Sequence, residues 1–206
     1  MLTSLIEGSS FAHDAATAEE FTSFMRDNYP NLTDNDEEDI LEHYPKQDLL
    51  PLHEEWFPSA SKAYGEATFI CPTNLMLDAF ADAGLSNETW SYRYNVWDDV
   101  RDAEGMGVEH TFDRPAILGP NNVHAVAESY YTYNAPMIPL MMNYYISFVR
   151  SLDPNLHRMD DAPEWGNWKD GERMMFELDA SKMEDIDEGQ RKRCKFWGGV
   201  AERMDQ

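Results

Sequence analysis

Apolar residues recur along this chain at helical spacing in several long stretches and at strand spacing in short ones. Thr17 with Glu20 three residues on has the form of a capping box, and Phe21, Phe24 and Met25 follow on one face until Pro30 stops the pattern. A first helix is expected there. Thr33 caps a second, short one: acids fill its first turn, where the helix dipole favours them, Ile40, Leu41 and Tyr44 form its apolar face, and Pro45 ends it. From Ser59 to Gly84 the pattern is helical again, with Ile70, Leu77 and Phe80 expected to be buried and Pro72 as a kink or a new first turn.

The period then changes. Trp90, Tyr92, Tyr94 and Val96 alternate with Ser91, Arg93 and Asn95, which predicts a half-buried strand. Asp98 to Gly107 reads as loop, and Gly107-Val108-Glu109-His110-Thr111 leads into a turn-rich stretch with Pro115, Gly119 and Pro120. Met137, Leu140, Met141, Tyr144, Phe148 and Leu152 make an apolar helical stripe that Pro154 terminates. Met174, Phe176 and Leu178 allow a second short strand, and Glu188 to Met204 a last helix with Cys194, Trp197, Ala201 and Met204 on one side. Few strands among several helices define a mixed α/β layer, yet two strands are too few for a complete sheet. The expectation is one partial domain over residues 1–206.

Charge narrows the functional classes. Sixteen basic against 39 acidic side chains give a formal charge of −23, with the acids in runs such as Asp34 to Asp39, Asp160 to Glu164 and Glu184 to Glu188. Such a surface repels phosphate backbones and anionic lipid, so no nucleic-acid partner is expected. The most apolar window, Ala135 to Val149, is broken by Pro136, Pro139 and Asn143, and no transmembrane segment is expected. Two sequons, at Asn31 and Asn87, and two cysteines far apart in sequence, Cys71 and Cys194, fit a secretory protein. The first residues, Met1 to Glu7, lack the basic and apolar regions of a signal peptide, which leads us to expect that an upstream segment is missing.

Among the six histidines, His13, His43, His53, His124 and His157 carry no motif, whereas His110 sits in a loop soon after a strand, where α/β enzymes present reactive side chains. Glu109, His110 and Asp113 could be assembled into a metal site, but no spacing typical of metal ligands supports it, and no cofactor is expected. No serine has the Gly-x-Ser-x-Gly setting of a nucleophile elbow: Ser86 has Gly84 two residues before it, but Glu88 follows where glycine is required.

At these residues a family resemblance emerges. Gly105-Met106-Gly107-Val108-Glu109-His110-Thr111-Phe112-Asp113, ending in Ala116-Ile117-Leu118-Gly119-Pro120, resembles the segment around the catalytic histidine of type B carboxylesterases, the family of cholinesterases and several secreted fungal lipases. In the same order, Phe69-Ile70-Cys71-Pro72 resembles the family's helix start, Trp90-Ser91-Tyr92-Arg93-Tyr94 its tyrosine-rich strand, Phe148 to Pro154 its helix exit, and Arg193-Cys194-Lys195-Phe196-Trp197 its C-terminal helix. Glu7-Gly8-Ser9-Ser10-Phe11 is similar to the family's acid segment, although Ile6 replaces an acid found there in many members.

The resemblance implies the C-terminal portion of an α/β-hydrolase fold, helix-rich and holding only a few strands of the parent sheet. It implies His110 as general base, Glu7 as the carboxylate that orients it, and a disulfide between Cys71 and Cys194. The order Glu7 before His110 agrees with the serine, acid, histidine order of that fold. The glycine-rich segment that supplies oxyanion amides is absent, as is the serine. The expectation is therefore a carboxylic ester hydrolase fragment, inactive alone, from a secreted protein acting on a small ester or lipid; Val108 and Phe112 are the candidate pocket walls near His110. Two other readings compete: a non-catalytic binding or adhesion protein of the same family, and a chain that folds only by docking onto a missing N-terminal half.

Overall fold

The computed structural model describes residues 8–169 and 171–205. In chain order the elements are α1 (Ala18–Asn28), α2 (Asp34–His43), α3 (Phe57–Gly65), a π-helical turn (Glu66–Ile70), α4 (Cys71–Asp82), β1 (Tyr92–Tyr94), α5 (Asp99–Ala103), α6 (Arg114–Leu118), α7 (Met137–Ser151), β2 (Glu172–Phe176), β3 (Lys182–Asp185) and α8 (Glu188–Val200), with short 3-10 turns between them. The chain divides into two compact units: a helical unit of residues 8–76, 99–110 and 186–205, and a sheet unit of residues 77–98 and 111–185.

Local chemistry sets the first helices of the helical unit. Thr17 Oγ accepts from the Glu20 amide at 3.1 Å, and the Glu20 carboxylate reaches back to the Ala16 amide at 2.7 Å. At α2 the box is complete, because Thr33 takes the Asp36 amide while Asp36 takes the Thr33 amide. Asp36 is also held by Arg203, with Nε and Nη2 at 2.9 and 2.6 Å. The apolar faces meet in a core of Phe21, Met25, Ile40, Tyr44, Ala60, Ala63, Ala67, Trp197 and Met204.

Between α3 and α4 the backbone widens: the Cys71 amide bonds to the Glu66 carbonyl, five residues back rather than four. Glu66, 2% exposed, is thereby held inside the unit. Its carboxylate accepts from Tyr44 Oη (2.7 Å), Gln190 Nε2 (3.2 Å) and both Nε and Nη2 of Arg193 (2.7 and 2.8 Å), and Trp197 Nε1 donates to Tyr44 Oη at 2.6 Å. Burial, and then the Glu66 carboxylate beside it, push the Tyr44 phenol well above its ordinary value. Cys71 and Cys194 form a disulfide that joins α4 to α8 beside this network.

The sheet unit has, among the described residues, a three-stranded sheet in the order β1-β2-β3, with β1 parallel to β2 and β3 antiparallel to it. Its core is aromatic: Phe176 packs edge-on or tilted against Tyr92, Tyr144 and Trp165 at 5.3–5.6 Å between ring centroids.

Several expectations change here. The strand expected from Trp90 to Val96 is only Tyr92–Tyr94, and it is buried on both faces. Arg93 points inward because the Glu184 carboxylate of β3 accepts from its Nε and Nη2, both at 2.7 Å, and from Arg173 Nε at 2.8 Å. β2 ends before Leu178, and β3, a polar segment without alternation, was not foreseen. Asp99–Ala103 is a short helix where loop was expected. Phe80, Phe148 and Leu152, placed on buried faces by their spacing, are exposed; Phe80 and Phe148 instead line an aromatic cavity of about 290 Å³ with Trp90, Tyr144, Tyr145 and Trp165.

Candidate active site around His110

His110 lies in the helical unit, in the tight segment after α5. The Gly105 and Met106 amides close α5 by bonding to the Asp102 and Arg101 carbonyls, each at 2.9 Å. Gly105, Gly107 and Thr111 then take left-handed backbone angles, with φ of 73°, 56° and 64°. A glycine is needed at 105 twice over, since a Cβ there would also lie 2.4 Å from the Pro51 carbonyl oxygen. Thr111 is β-branched, so its left-handed backbone is strained, directly after the histidine.

The half-buried His110 ring packs against Phe11, edge-on at 5.2 Å, and against Phe69, tilted at 4.8 Å. Phe11 arrives on a tight turn in which the Gly8 carbonyl accepts from the Phe11 and Ala12 amides at 3.0 and 2.8 Å. That turn is seated on α3, where a Cβ on Gly8 would come within 2.0 Å of the Ser61 carbonyl oxygen. Two side-chain bonds join the turn to the histidine segment. Ser9 Oγ donates to the Met106 carbonyl at 3.1 Å, and Ser10 Oγ to Glu109 Oε2 at 3.2 Å. The other oxygen of Glu109 pairs with Arg101 Nε at 3.0 Å, and Arg101 Nη1 with Glu104 at 3.0 Å.

Glu7 lies outside the described residues. What the structure brings to His110 is the segment that immediately follows Glu7. Sequence reasoning missed Ser10 and Arg101 and considered Glu109 only for a metal set; Ser10 and Glu109 are 99 residues apart, and no local pattern links them.

In the sheet unit, the residues following His110 in sequence are set by a tyrosine cluster. Tyr92 Oη donates to Asp113 Oδ2 at 2.6 Å and meets Tyr145 Oη at 3.0 Å. Tyr94 Oη meets Tyr130 Oη at 2.8 Å, and Tyr130 Oη donates to the Phe112 carbonyl. Burial and the nearby Asp113 charge hold the Tyr92 phenol well above its ordinary value, so it stays a donor. Val108 and Phe112, the candidate pocket walls, are both buried, Phe112 against the Tyr130 ring.

The remaining motif residues fall as follows. Asn31 is exposed in the turn after α1, and Asn87 is exposed in a 3-10 turn at Ser86–Glu88. His13, His43 and His53 pack on Phe24, Phe196 and Phe57. Among the described residues, no three His, Cys, Asp or Glu side chains converge on a metal position, and no helix is long and apolar enough to cross a membrane. Asp113 accepts from Tyr92, and Glu109 pairs with Arg101.

The pattern of the Carboxylesterase family matches residues 4–197, and the chain belongs to that family. It is 25% identical over 198 residues to Secreted lipase 4 of Gibberella zeae (strain PH-1), a match spanning 88% of this chain and 32% of the lipase. Against the crystal structure of Aspergillus niger EstA it superposes with a TM-score of 0.94 and 40% identity, covering 98% of this chain and 39% of that one. The chain thus spans about a third to two-fifths of the length of these relatives. The fold is that of a carboxylesterase α/β-hydrolase, helix-rich with a small sheet.

Proposed function

We propose that this chain carries the acid–base half of a serine carboxylic ester hydrolase centre, with His110 as general base and Glu7 as the carboxylate that orients it. The observation that supports this reading is the tie between the turn Gly8–Ala12 and the histidine segment, through Ser9–Met106, Ser10–Glu109 and the Phe11–His110 ring contact. These contacts hold the residues flanking the acid against those flanking the base. A neutral imidazole so placed takes the proton from an attacking hydroxyl and returns it to the leaving alcohol, while the carboxylate fixes the tautomer and stabilises the imidazolium.

The attacking serine and the oxyanion amides lie outside these 206 residues, so the chain by itself does not turn over esters. Residues 1–206 form part of one hydrolase domain, a reading supported by the unbroken family match across both compact units. The substrate of the longer protein is a small ester or lipid, and its destination is outside the cell. Supporting the latter are the disulfide, the exposed sequon asparagines Asn31 and Asn87 as glycosylation sites, and the relative named as a secreted lipase.

The test pairs hydrolysis of a short p-nitrophenyl ester with labelling by a serine-directed phosphonate. The chain is expected to give neither turnover nor label. Label on any of its serines would overturn the proposal.

A further inference from the structure

Glu109 precedes His110 but belongs to no reactive group of the proposed mechanism, and its surroundings are specific. Its side chain is only 17% exposed despite its charge. One oxygen is fixed by the Arg101 guanidinium at 3.0 Å, and Arg101 is itself steadied by Glu104. The other oxygen accepts from Ser10 Oγ at 3.2 Å, three residues after Glu7. A carboxylate held on one side by a cation from α5 presents a fixed acceptor on the other.

The geometry points to Glu109 and Ser10 as positioning residues: together with Arg101 they form a clasp that holds the turn following Glu7 against the segment that carries His110. This rests on the reading of Glu7 and His110 as acid and base. Neither clasp residue touches the reacting atoms. The clasp acts through the turn Gly8–Ala12, which is closed by its own amides and by Ser9 on the Met106 carbonyl. Ser10 is exposed, so changing it removes the tie without opening the core.

The experiment is NMR of the imidazole of His110 in the whole chain, with isotope-labelled histidine. The readout is the ring N–H that a carboxylate partner would protect, followed by its exchange with water and by the tautomer. Glu7→Ala, which removes the acceptor, is expected to abolish that protection. Ser10→Ala is expected to speed exchange roughly three- to tenfold, the effect of losing one ordinary hydrogen bond, while leaving the thermal unfolding midpoint unchanged. Ser10→Thr, which keeps the hydroxyl, should restore the slow exchange.

The two ideas fail separately. If Glu7→Ala leaves the His110 N–H as it was, the acid–base reading falls. If Glu7→Ala abolishes protection but Ser10→Ala exchanges as slowly as the parent chain, the clasp is refuted and the acid–base reading stands. If Ser10→Ala instead lowers the unfolding midpoint in step with its exchange rate, Ser10 is merely structural and the clasp is likewise refuted.

Discussion

Arg193→Met removes the cation from a carboxylate that has almost no access to water. Glu66 is 2% exposed, and Arg193 supplies two of its four hydrogen bonds, at 2.7 and 2.8 Å. In the variant the Glu66 charge keeps two hydrogen bonds, from the Tyr44 hydroxyl and the Gln190 amide, and the nearby charge of Lys62. Stranding a buried charge by deleting its partner costs about 3–5 kcal/mol. Arg193 is itself slightly open to solvent and Lys62 still acts on Glu66, which puts the expected loss near the lower end, about 3 kcal/mol. Replacing both partners, as in Glu66→Leu with Arg193→Met, leaves no stranded charge and should recover about half of that loss or more. The assay is urea unfolding followed by tryptophan fluorescence, since Trp197 donates to Tyr44 inside the network and senses the helical unit directly. A shortfall below about 1 kcal/mol for Arg193→Met, or a double variant less stable than the single one, would refute the reasoning.

Three further outcomes are expected. Cys194→Ala removes a crosslink between positions 123 residues apart and should destabilise the helical unit by about 5 kcal/mol in the chain-entropy model, read as a fall in urea midpoint matched by reduction of the parent chain. For Glu184, burial raises the carboxyl, but the bonds and charges of Arg93 and Arg173 outweigh it and hold it below its ordinary 4.5. Its contribution is therefore fully present above the unfolded value and disappears as pH falls through the lower folded one; Glu184→Gln should flatten that part of the acid-unfolding curve, and an unchanged curve would sink the assignment. Gly84→Ala, at φ 82° with nothing within 4 Å of the new Cβ, should cost only about 1 kcal/mol, whereas Gly105→Ala should cost clearly more because of Pro51, a ranking that calorimetry can check.

What the sequence announced in advance was mostly what short segments decide for themselves. The caps of α1 and α2 lie within three or four residues of the amides they satisfy, so Thr17 and Thr33 were readable. The same holds for Pro72, which opens α4 as a new first turn after the π-helical turn. Arg93 and β3 were not readable, because each is buried or ordered by the other across about 90 residues: the alternation rule sends a charged side chain to solvent unless a partner is known, and Glu184 gives no local sign that it is that partner. Phe80 and Phe148 were misplaced for a related reason. Helical spacing assigns each to the apolar face of its own helix, and both faces line a cavity rather than a packed interior. For the candidate site, His110 stood out through an ordered set of motifs, while its ties to Ser9, Ser10 and Phe11 came only from three dimensions.

The π-helical turn at Glu66–Ile70 sets the phase of everything after it. One extra residue in a turn advances the following side chains by about 100° around the axis. On the near side of the turn Ala60 and Ala63 face the core with α1; on the far side Cys71 faces α8. A gene that lost a single codon between Glu66 and Ile70 would encode a smoother helix and a worse protein, since one of those faces would have to rotate away from its partner. Length at this point in the chain is thus fixed more tightly than residue identity, and single-residue deletions there should be rarer than substitutions among functional variants.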